Sequence, residues 1–270
     1  MKRIVTIHDL TFFIHPSVHT FIKRYYFRLF IKLACRYADR LICVSESTKK
    51  DLERICGRRS VSIDVIPLSC SPKMQVGEQE LELVKKKFGV VSQYMLFIGT
   101  LEPRKNILNL INAFYKFSQK NRDYSLVIIG KKGWFYESIF KLVEELHLER
   151  SVVFTGFVTT KEKFILLSGA HSFIYPSIYE GFGLPVLEAI TYGIPTITSK
   201  LSSLPEVAGN AALYINPYDV QSISDAIESV NCDEETRRKL IKNSEKQRLK
   251  YSWKKTANLT YSLYNRCGSI

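Results

Sequence analysis

The sequence predicts an α/β protein built on parallel sheets, with a complete domain towards the C-terminus and a reduced one before it. Three observations carry this. Short apolar, β-branched runs alternate with helical patterns of about ten residues. Glycine and proline punctuate the chain between them. Residues 173–198 read as a whole unit: a strand at Phe173–Tyr175, a glycine-rich turn at Glu180–Gly183, a helix at Leu184–Tyr192, and a strand at Thr196–Thr198. Gly193 and Pro195 stop that helix. Loops at the carboxyl ends of such strands are where open α/β sheets bind ligands.

The first segments follow the same grammar. Ile4–Ile7 is a strand ended by His8 and Asp9, which places both side chains at a strand tip. A helix is expected over Phe21–Tyr37, a strand over Arg40–Val44, and a helix capped by Ser45-Glu-Ser-Thr48 that runs to Ile55. Val61–Ile66 is a further strand, ended by Pro67. Residues 69–93 form a connection with a short charged helix over Gln79–Phe88.

The second domain opens with a strand at Met95–Ile98 and a turn at Gly99, and Asn106 stands as the cap of the next helix. Between them lies Thr100-Leu-Glu-Pro-Arg104-Lys105. Two cations at a strand–helix turn suit a diphosphate, although a pair alone also reads as solvent-facing. Strands at Ser125–Ile129 and Val152–Phe154 alternate with helices at Ser138–Leu146 and Lys161–Leu167. The turn at Gly130-Lys-Lys-Gly133-Trp134 is placed to approach a nucleotide or acceptor. A helical turn at Leu204–Gly209, a strand at Ala212–Ile215, helices at Asp219–Val230 and Glu234–Lys250, and a last helix complete the chain.

Glu180 and Glu188 bracket the glycine-rich turn. Such a pair alone is a solvated loop residue and a helix carboxylate beside a cation. Two glycines, a leucine and a proline between them favour ligand binding: the turn comes close, the helix start faces an anion, and Glu188 accepts from ribose hydroxyls.

Composition excludes other classes. The chain has 270 residues, enough for roughly two domains, and is 46% hydrophobic. Apolar runs stay short of the ~18 residues of a membrane span, and Met1-Lys-Arg leads straight into a strand without a secretory leader. Six scattered cysteines without a C-x-x-C pair read as reduced and cytosolic, and five histidines share no metal-ligand spacing with them. No metal is expected. Net charge is +13, yet no nucleic-acid module is present, so nucleic acid is not a partner. Lys23, Arg24, Arg28 and Lys32 interleave with Phe21, Tyr25, Phe27, Leu29 and Phe30. That helix either lies on an anionic membrane or packs its aromatic face on a core.

The run Glu180-Gly-Phe-Gly-Leu-Pro-Val-Leu-Glu188 resembles the E-x7-E signature of glycosyltransferase family 4, and the resemblance extends over nearly the whole chain. It implies a GT-B-like fold of two facing Rossmann-like domains. It also implies transfer of a sugar from a nucleotide donor with retention of configuration and without metal or other cofactor. His8, in Val5-Thr-Ile-His8-Asp9, matches the strand-end histidine near the donor sugar, and Glu180 is the second catalytic candidate. Arg104 and Lys105 match the diphosphate-binding pair; Thr100 stands where some members carry an arginine. Of the other donor-site candidates, Gly130 lies in the turn placed to approach a nucleotide or acceptor, Val158 in the loop that matches the wall of the base pocket, Gly181, Phe182, Gly183 and Leu184 in the turn and helix start that face an anion such as a diphosphate, and Glu188 at the ribose. Gly99–Asn106 and Val5–Asp9 look most like mannosyltransferases of polysaccharide assembly, which favours GDP-mannose as donor over a UDP-sugar and a glycan or lipid-linked acceptor.

One departure is large. About a hundred residues that precede His8 in the family pattern, with a strand and a glycine-rich loop, are expected to be missing. The expected division is a partial acceptor-side domain over 1–68, a linker over 69–93, a nucleotide-sugar domain over 94–245 and a helix over 246–270 that crosses back. The protein is then a cytoplasmic transferase, peripheral at the inner membrane face. Alternatively it is an inactive nucleotide-sugar-binding scaffold that needs a polypeptide supplying the missing half.

Overall fold

The computed structural model describes residues 2–18, 20–57 and 62–268. Of the strand expected over Val61–Ile66, Val61 lies outside the described residues. The N-terminal lobe comprises β1 (Ile4–Ile7), α1 (Thr11–Ile14), α2 (Phe21–Tyr37), β2 (Arg40–Cys43), α3 (Glu46–Cys56) and β3 (Ser62–Val65). The charged helix α4 (Glu78–Phe88) connects the lobes. The C-terminal lobe follows as β4 (Gln93–Ile98), α5 (Ile107–Ser118), β5 (Tyr124–Ile129), α6 (Glu137–Glu145), β6 (Val152–Gly156), α7 (Thr160–Ser168) and β7 (Ser172–Tyr175). It continues as α8 (Leu184–Tyr192), β8 (Thr196–Ser199), α9 (Leu204–Ala208), β9 (Ala212–Ile215), α10 (Val220–Cys232) and α11 (Glu234–Arg248). The last helix, α12 (Trp253–Gly268), returns to the N-terminal lobe.

The two sheets are parallel throughout. Among the described residues, the N-terminal sheet has three strands in the order β1-β2-β3 and the C-terminal sheet six in the order β6-β5-β4-β7-β8-β9. The larger sheet is doubly wound: from β4 the chain moves outwards to β6, returns to β7 beside β4, and moves outwards again. Its strands are covered on both faces, so β7 and β8 are buried along their whole length. Phe97, Phe173 and Tyr175 stack ring on ring at its centre. The crevice between the ends of β4 and β7, where the order reverses, is the topological switch point that such sheets use for ligands.

Local chemistry explains the borders. Ser45 caps α3 by accepting from the Thr48 amide at 3.0 Å. Thr159 and Glu162 form a reciprocal capping box at the start of α7. Asn106 holds the N-cap position of α5, as expected, but with a left-handed backbone and without a side-chain cap bond: its Nδ2 donates to the Pro217 carbonyl at 2.6 Å, so it ties the loop before α5 to the one after β9. The four-residue helix α1 was not anticipated; the Asp9 carboxylate accepts from the Thr11 amide there.

Two expectations are corrected. Cys35 on α2 and Cys56 at the end of α3 are joined in a disulfide, not reduced thiols. Both helices contribute to the core of the N-terminal lobe, which brings together cysteines whose sequence separation of 21 carries no motif. The other four thiols, Cys43, Cys70, Cys232 and Cys267, are free. Nor does α2 pack its aromatic face on a core within the described residues: only Ile31 and Cys35 are buried, while Phe21 and Ile22 are 70% and 81% exposed. No helix among the described residues is long and apolar enough to cross a membrane.

The lobes are laced together. The Ser45 and Thr48 hydroxyls both donate to the Gly181 carbonyl, at 2.6 and 3.0 Å. Glu206 of α9 accepts from the amides of Glu46 and Ser47, so a carboxylate of one lobe meets the positive end of α3 in the other. Tyr179 donates to Asp51 at 3.0 Å. From α12, Leu263 enters the cluster of Ile42 and Ile66, the Thr256 hydroxyl donates to the Pro67 carbonyl, and Arg266 pairs with Asp64.

Candidate functional site

Between the lobes, at the switch point, lies a cavity of about 510 Å³. Its C-terminal wall is built by the segment after β4, with Gly99, Thr100, Glu102, Arg104 and Lys105, and by the turn after β7 that starts α8. His8 and Asp9, at the tip of β1, form the opposite side, and Trp134 closes a corner.

Gly181 fixes the approach of the two walls. A Cβ there would lie 1.8 Å from the His8 carbonyl oxygen, so only glycine allows the turn to touch the β1 tip. Gly183 adopts φ +100° and opens α8. Pro185 contributes no N–H, and the Val186 amide bonds the Gly183 carbonyl at 3.0 Å. The backbone donors at this end therefore come from Gly183 and Leu184, which both line the cavity.

Glu180 is the electrostatic centre. Its residue is 8% exposed. Oε1 accepts from Lys105 Nζ at 2.6 Å, Ser177 Oγ at 2.6 Å and Tyr175 OH at 3.0 Å, and Oε2 lies 2.9 Å from an Arg104 terminal nitrogen. The hydroxyls of Ser202 and Ser203 hold its backbone, the first accepting from its N–H and the second donating to its carbonyl. Arg104 further donates to the Tyr179 carbonyl and to Glu102, each at 2.6 Å. Lys105 also reaches Tyr175 OH at 2.5 Å. Two carboxylates and one cation are thus buried beside the partly buried Arg104, each with an opposite partner.

Burial alone would push the Glu180 carboxyl up, but Lys105, Arg104 and the Ser177 hydroxyl hold it down at about 2. Burial also lowers the Lys105 ammonium against the opposing pull of Glu180, and Arg104 works in the same direction as burial. The Arg104 guanidinium is disfavoured by burial and yet raised overall by Glu180 and Glu102. The sign for stability follows from Glu180. A depressed carboxyl contributes stability that is complete above its ordinary value of 4.5 and lost as pH falls towards about 2. Urea midpoints measured between pH 5 and 2 (a span set by ~4.3 for a free carboxyl) are expected to fall more steeply for the parent than for Glu180→Gln. Parallel curves would show that Glu180 is not held ionised.

The structure brings together nine of the residues singled out from the sequence: His8, Thr100, Arg104, Lys105, Glu180, Gly181, Phe182, Gly183 and Leu184 all line the cavity. Three lie outside that lining. Gly130 packs so closely beneath the β4 loop that a Cβ would stand 1.9 Å from the Gly99 carbonyl oxygen. Val158 is buried in the loop between β6 and α7. Glu188, one turn into α8, is paired with Lys163 at 2.7 Å. The sequence reading missed Glu102, Tyr175, Ser177 and the serines at 202 and 203. They carried no signal beyond adjacency to a motif, because their contacts cross from one loop to another. Among the described residues, no group of three or more His, Cys, Asp or Glu side chains is placed to hold a metal ion.

Two α/β lobes, a doubly wound sheet and a cavity at its switch point facing the other lobe define the GT-B class. The profile described as Glycosyl transferases group 1 matches residues 79–247, and that described as Glycosyltransferase Family 4 matches residues 1–70. The chain is 32% identical to O-antigen chain mannosyltransferase B of Escherichia coli, over 97% of its own length and 70% of that protein's. It is 31% identical to O-antigen chain mannosyltransferase RfbU of Salmonella typhimurium, over 84% of its own length and 60% of that protein's. Among solved structures, HepE from Anabaena in complex with UDP and glucose superposes with a TM-score of 0.83 at 18% identity, covering 100% of this chain and 72% of that one. The chain belongs to the group 1 glycosyltransferases.

Proposed function

We propose that this chain moves a hexose from a nucleotide-sugar to a glycan or lipid-linked acceptor in cell-surface polysaccharide assembly, with retention of configuration. The observation that carries this is the cavity between the lobes, where buried Lys105 and Glu180 face the His8 tip beside the start of α8. GDP-mannose is the favoured donor, because the relatives above are named mannosyltransferases; a UDP-sugar is the alternative, as HepE was crystallised with UDP and glucose. In this reading residues 94–245 hold the donor, 1–68 face the acceptor, 69–93 join the two and 246–270 brace them.

The chemistry is electrostatic. Departure of the nucleoside diphosphate puts negative charge within reach of Lys105 and the Gly183 and Leu184 N–H groups, and electrostatic stabilisation of this kind usually contributes most to catalysis. Glu180 orients the sugar and His8 approaches it from the other lobe. Four donors already engage Glu180, which makes it a poor covalent nucleophile and favours front-face attack by the acceptor hydroxyl. Glu188 exchanges part of its bond to Lys163 for the ribose hydroxyls, and Val158 walls the base.

Calorimetric titration with GDP, UDP and their sugars tests this reading. Glu188→Ala is expected to weaken free nucleotide and nucleotide-sugar alike by roughly 1–3 kcal/mol, the range for a lost buried hydrogen-bond partner. Glu180→Gln is expected to weaken only the nucleotide-sugar. Equal losses in both variants would refute the division between ribose and sugar, and silence of the parent chain towards every donor would refute the function.

A second reading, a nucleotide-sugar-binding scaffold completed by another polypeptide, is favoured by the three-stranded N-terminal sheet, in which β1 stands at an edge. Turnover by the chain alone would exclude it. In either case the exposed α2 supports peripheral binding to an anionic membrane, at the inner face of a cell membrane. It carries basic residues and no carboxylate, although Arg28 turns inward to the Phe12 carbonyl at 2.8 Å. Co-sedimentation is expected with anionic but not with neutral vesicles, and reversing Lys23, Arg24 and Lys32 to glutamate is expected to remove at least about 1 kcal/mol per residue. Equal sedimentation with both vesicles would count against it.

A further inference from the structure

The two adjacent cations of the cavity are bound in different ways, and the difference decides which of them can serve a ligand. We infer that Arg104, braced by Glu102, is a positioning residue that fixes the 177–180 turn and Glu180, whereas Lys105 is the cation that passes from Glu180 to the donor diphosphate. The inference rests on the functional reading above and deepens it.

Arg104 is tied in both directions. Its side chain holds Glu102, Glu180 and the Tyr179 carbonyl. Its own carbonyl accepts from the Ile178 amide at 2.9 Å and from the Ser177 hydroxyl at 3.2 Å. Glu102 is 5% exposed, and Arg104 is its ion-pair partner. Swinging the guanidinium towards a phosphate would leave that buried carboxylate without its compensating charge, which is the costly way to break a buried pair.

Lys105 carries no such obligation. When its ammonium leaves, Glu180 keeps Arg104 on Oε2 and the Tyr175 and Ser177 hydroxyls on Oε1. The carboxylate stays compensated, and the ammonium sits on a flexible stem whose donors rotate freely. A diphosphate in the cavity offers more negative charge than the single carboxylate it replaces. The departure also vacates one acceptor position on Glu180 Oε1, which a sugar hydroxyl can take. Diphosphate capture and sugar recognition are therefore coupled through one lysine.

The test compares GDP with guanosine and with GDP-mannose, and UDP with uridine and with UDP-glucose, by calorimetry on the parent, Lys105→Met, Arg104→Gln, Arg104→Lys and Glu102→Gln, with circular dichroism as a check of folding. Lys105→Met is expected to reduce the preference for diphosphate over nucleoside by about 10- to 100-fold, the range for a charge-assisted bond. Arg104→Gln is expected to leave that preference nearly unchanged and instead abolish the extra affinity contributed by the sugar, with Arg104→Lys restoring part of it. Glu102→Gln releases Arg104 without removing it, and so gives an answer even if Arg104 variants fail to fold. If Arg104 is a brace, the diphosphate preference holds and the sugar increment falls; if it is a phosphate ligand, freeing it raises the preference and overturns the inference. A loss of diphosphate preference in Arg104→Gln as large as in Lys105→Met overturns it as well. If the parent binds no nucleotide, the functional reading fails and takes this inference with it; if the parent binds normally, only the assignment of the two cations is at stake.

Discussion

Glu180→Ala is expected to destabilise the protein by about 3–5 kcal/mol, the cost of breaking a buried charge pair by removing one partner. The alanine would leave Lys105 Nζ, Tyr175 OH and Ser177 Oγ without the oxygen they share, and Arg104 without one of its two carboxylates. Arg104 would retain Glu102, so the uncompensated charge falls on Lys105. This makes a sharper test possible. Pairing Glu180→Leu with Lys105→Met removes both charges at once, and the double variant is expected to regain much of the stability that Glu180→Leu alone loses. Urea unfolding followed by circular dichroism measures all of these. Additive losses in the double variant would show that the two residues do not compensate each other.

Gly181→Ala is expected to be nearly as severe for a steric reason. The added methyl would meet the His8 carbonyl oxygen at 1.8 Å and the carbonyl carbon at 2.8 Å, and neither backbone atom can yield without moving β1 or the turn. Overpacking of this kind costs about 3 kcal/mol at the upper end of its usual range. The strain would also pull the Gly181 carbonyl from the hydroxyls of Ser45 and Thr48, which loosens the lobes. Faster proteolysis of the connection around α4 and a lower urea midpoint are the expected signs. Gly89→Ala is the comparison: its φ is +70° but nothing lies within 4 Å of the added atom, so only the roughly 1 kcal/mol cost of a left-handed alanine applies. Equal effects at the two glycines would rule out the close lobe contact as the cause.

What the sequence displayed depended on the range of each interaction. The helices at Phe21–Tyr37 and Leu184–Tyr192 were legible together with their approximate ends, because their stop signals are adjacent in the chain: the Arg40 strand begins soon after the first, and Gly193 and Pro195 follow the second. The parallel sheet was legible from alternation alone. The glycine-rich turn displayed itself through residue types that few backbones need together. Glu102 was not legible, since a glutamate before a proline looks like any loop residue until Arg104 and the 177–180 turn close over it. Asn106 was legible as the N-cap position of α5, but the partner of its side chain, the Pro217 carbonyl 111 residues away, was not. The Cys35–Cys56 pair failed for the same reason, being a product of two helices meeting. Arg104 and Lys105 read as one cationic pair in the sequence, and only the folded contacts separate an arginine tied to Glu102, Glu180 and the Tyr179 carbonyl from a lysine tied to Glu180 and the Tyr175 hydroxyl.

The return of α12 to the opposite lobe has a consequence for how the chain is made. Leu263 completes the cluster of Ile42 and Ile66, and Thr256 and Arg266 bond the strand-end segment of the N-terminal sheet. During synthesis the first sheet emerges from the ribosome long before the helix that covers it, while the whole of the second sheet is translated in between. The C-terminal lobe can mature from contiguous chain, whereas the N-terminal lobe must wait, with apolar surface open, until residues 253–268 have left the exit tunnel. Vectorial translation therefore runs opposite to the order of maturation, and the early lobe is the one whose apolar surface is covered last.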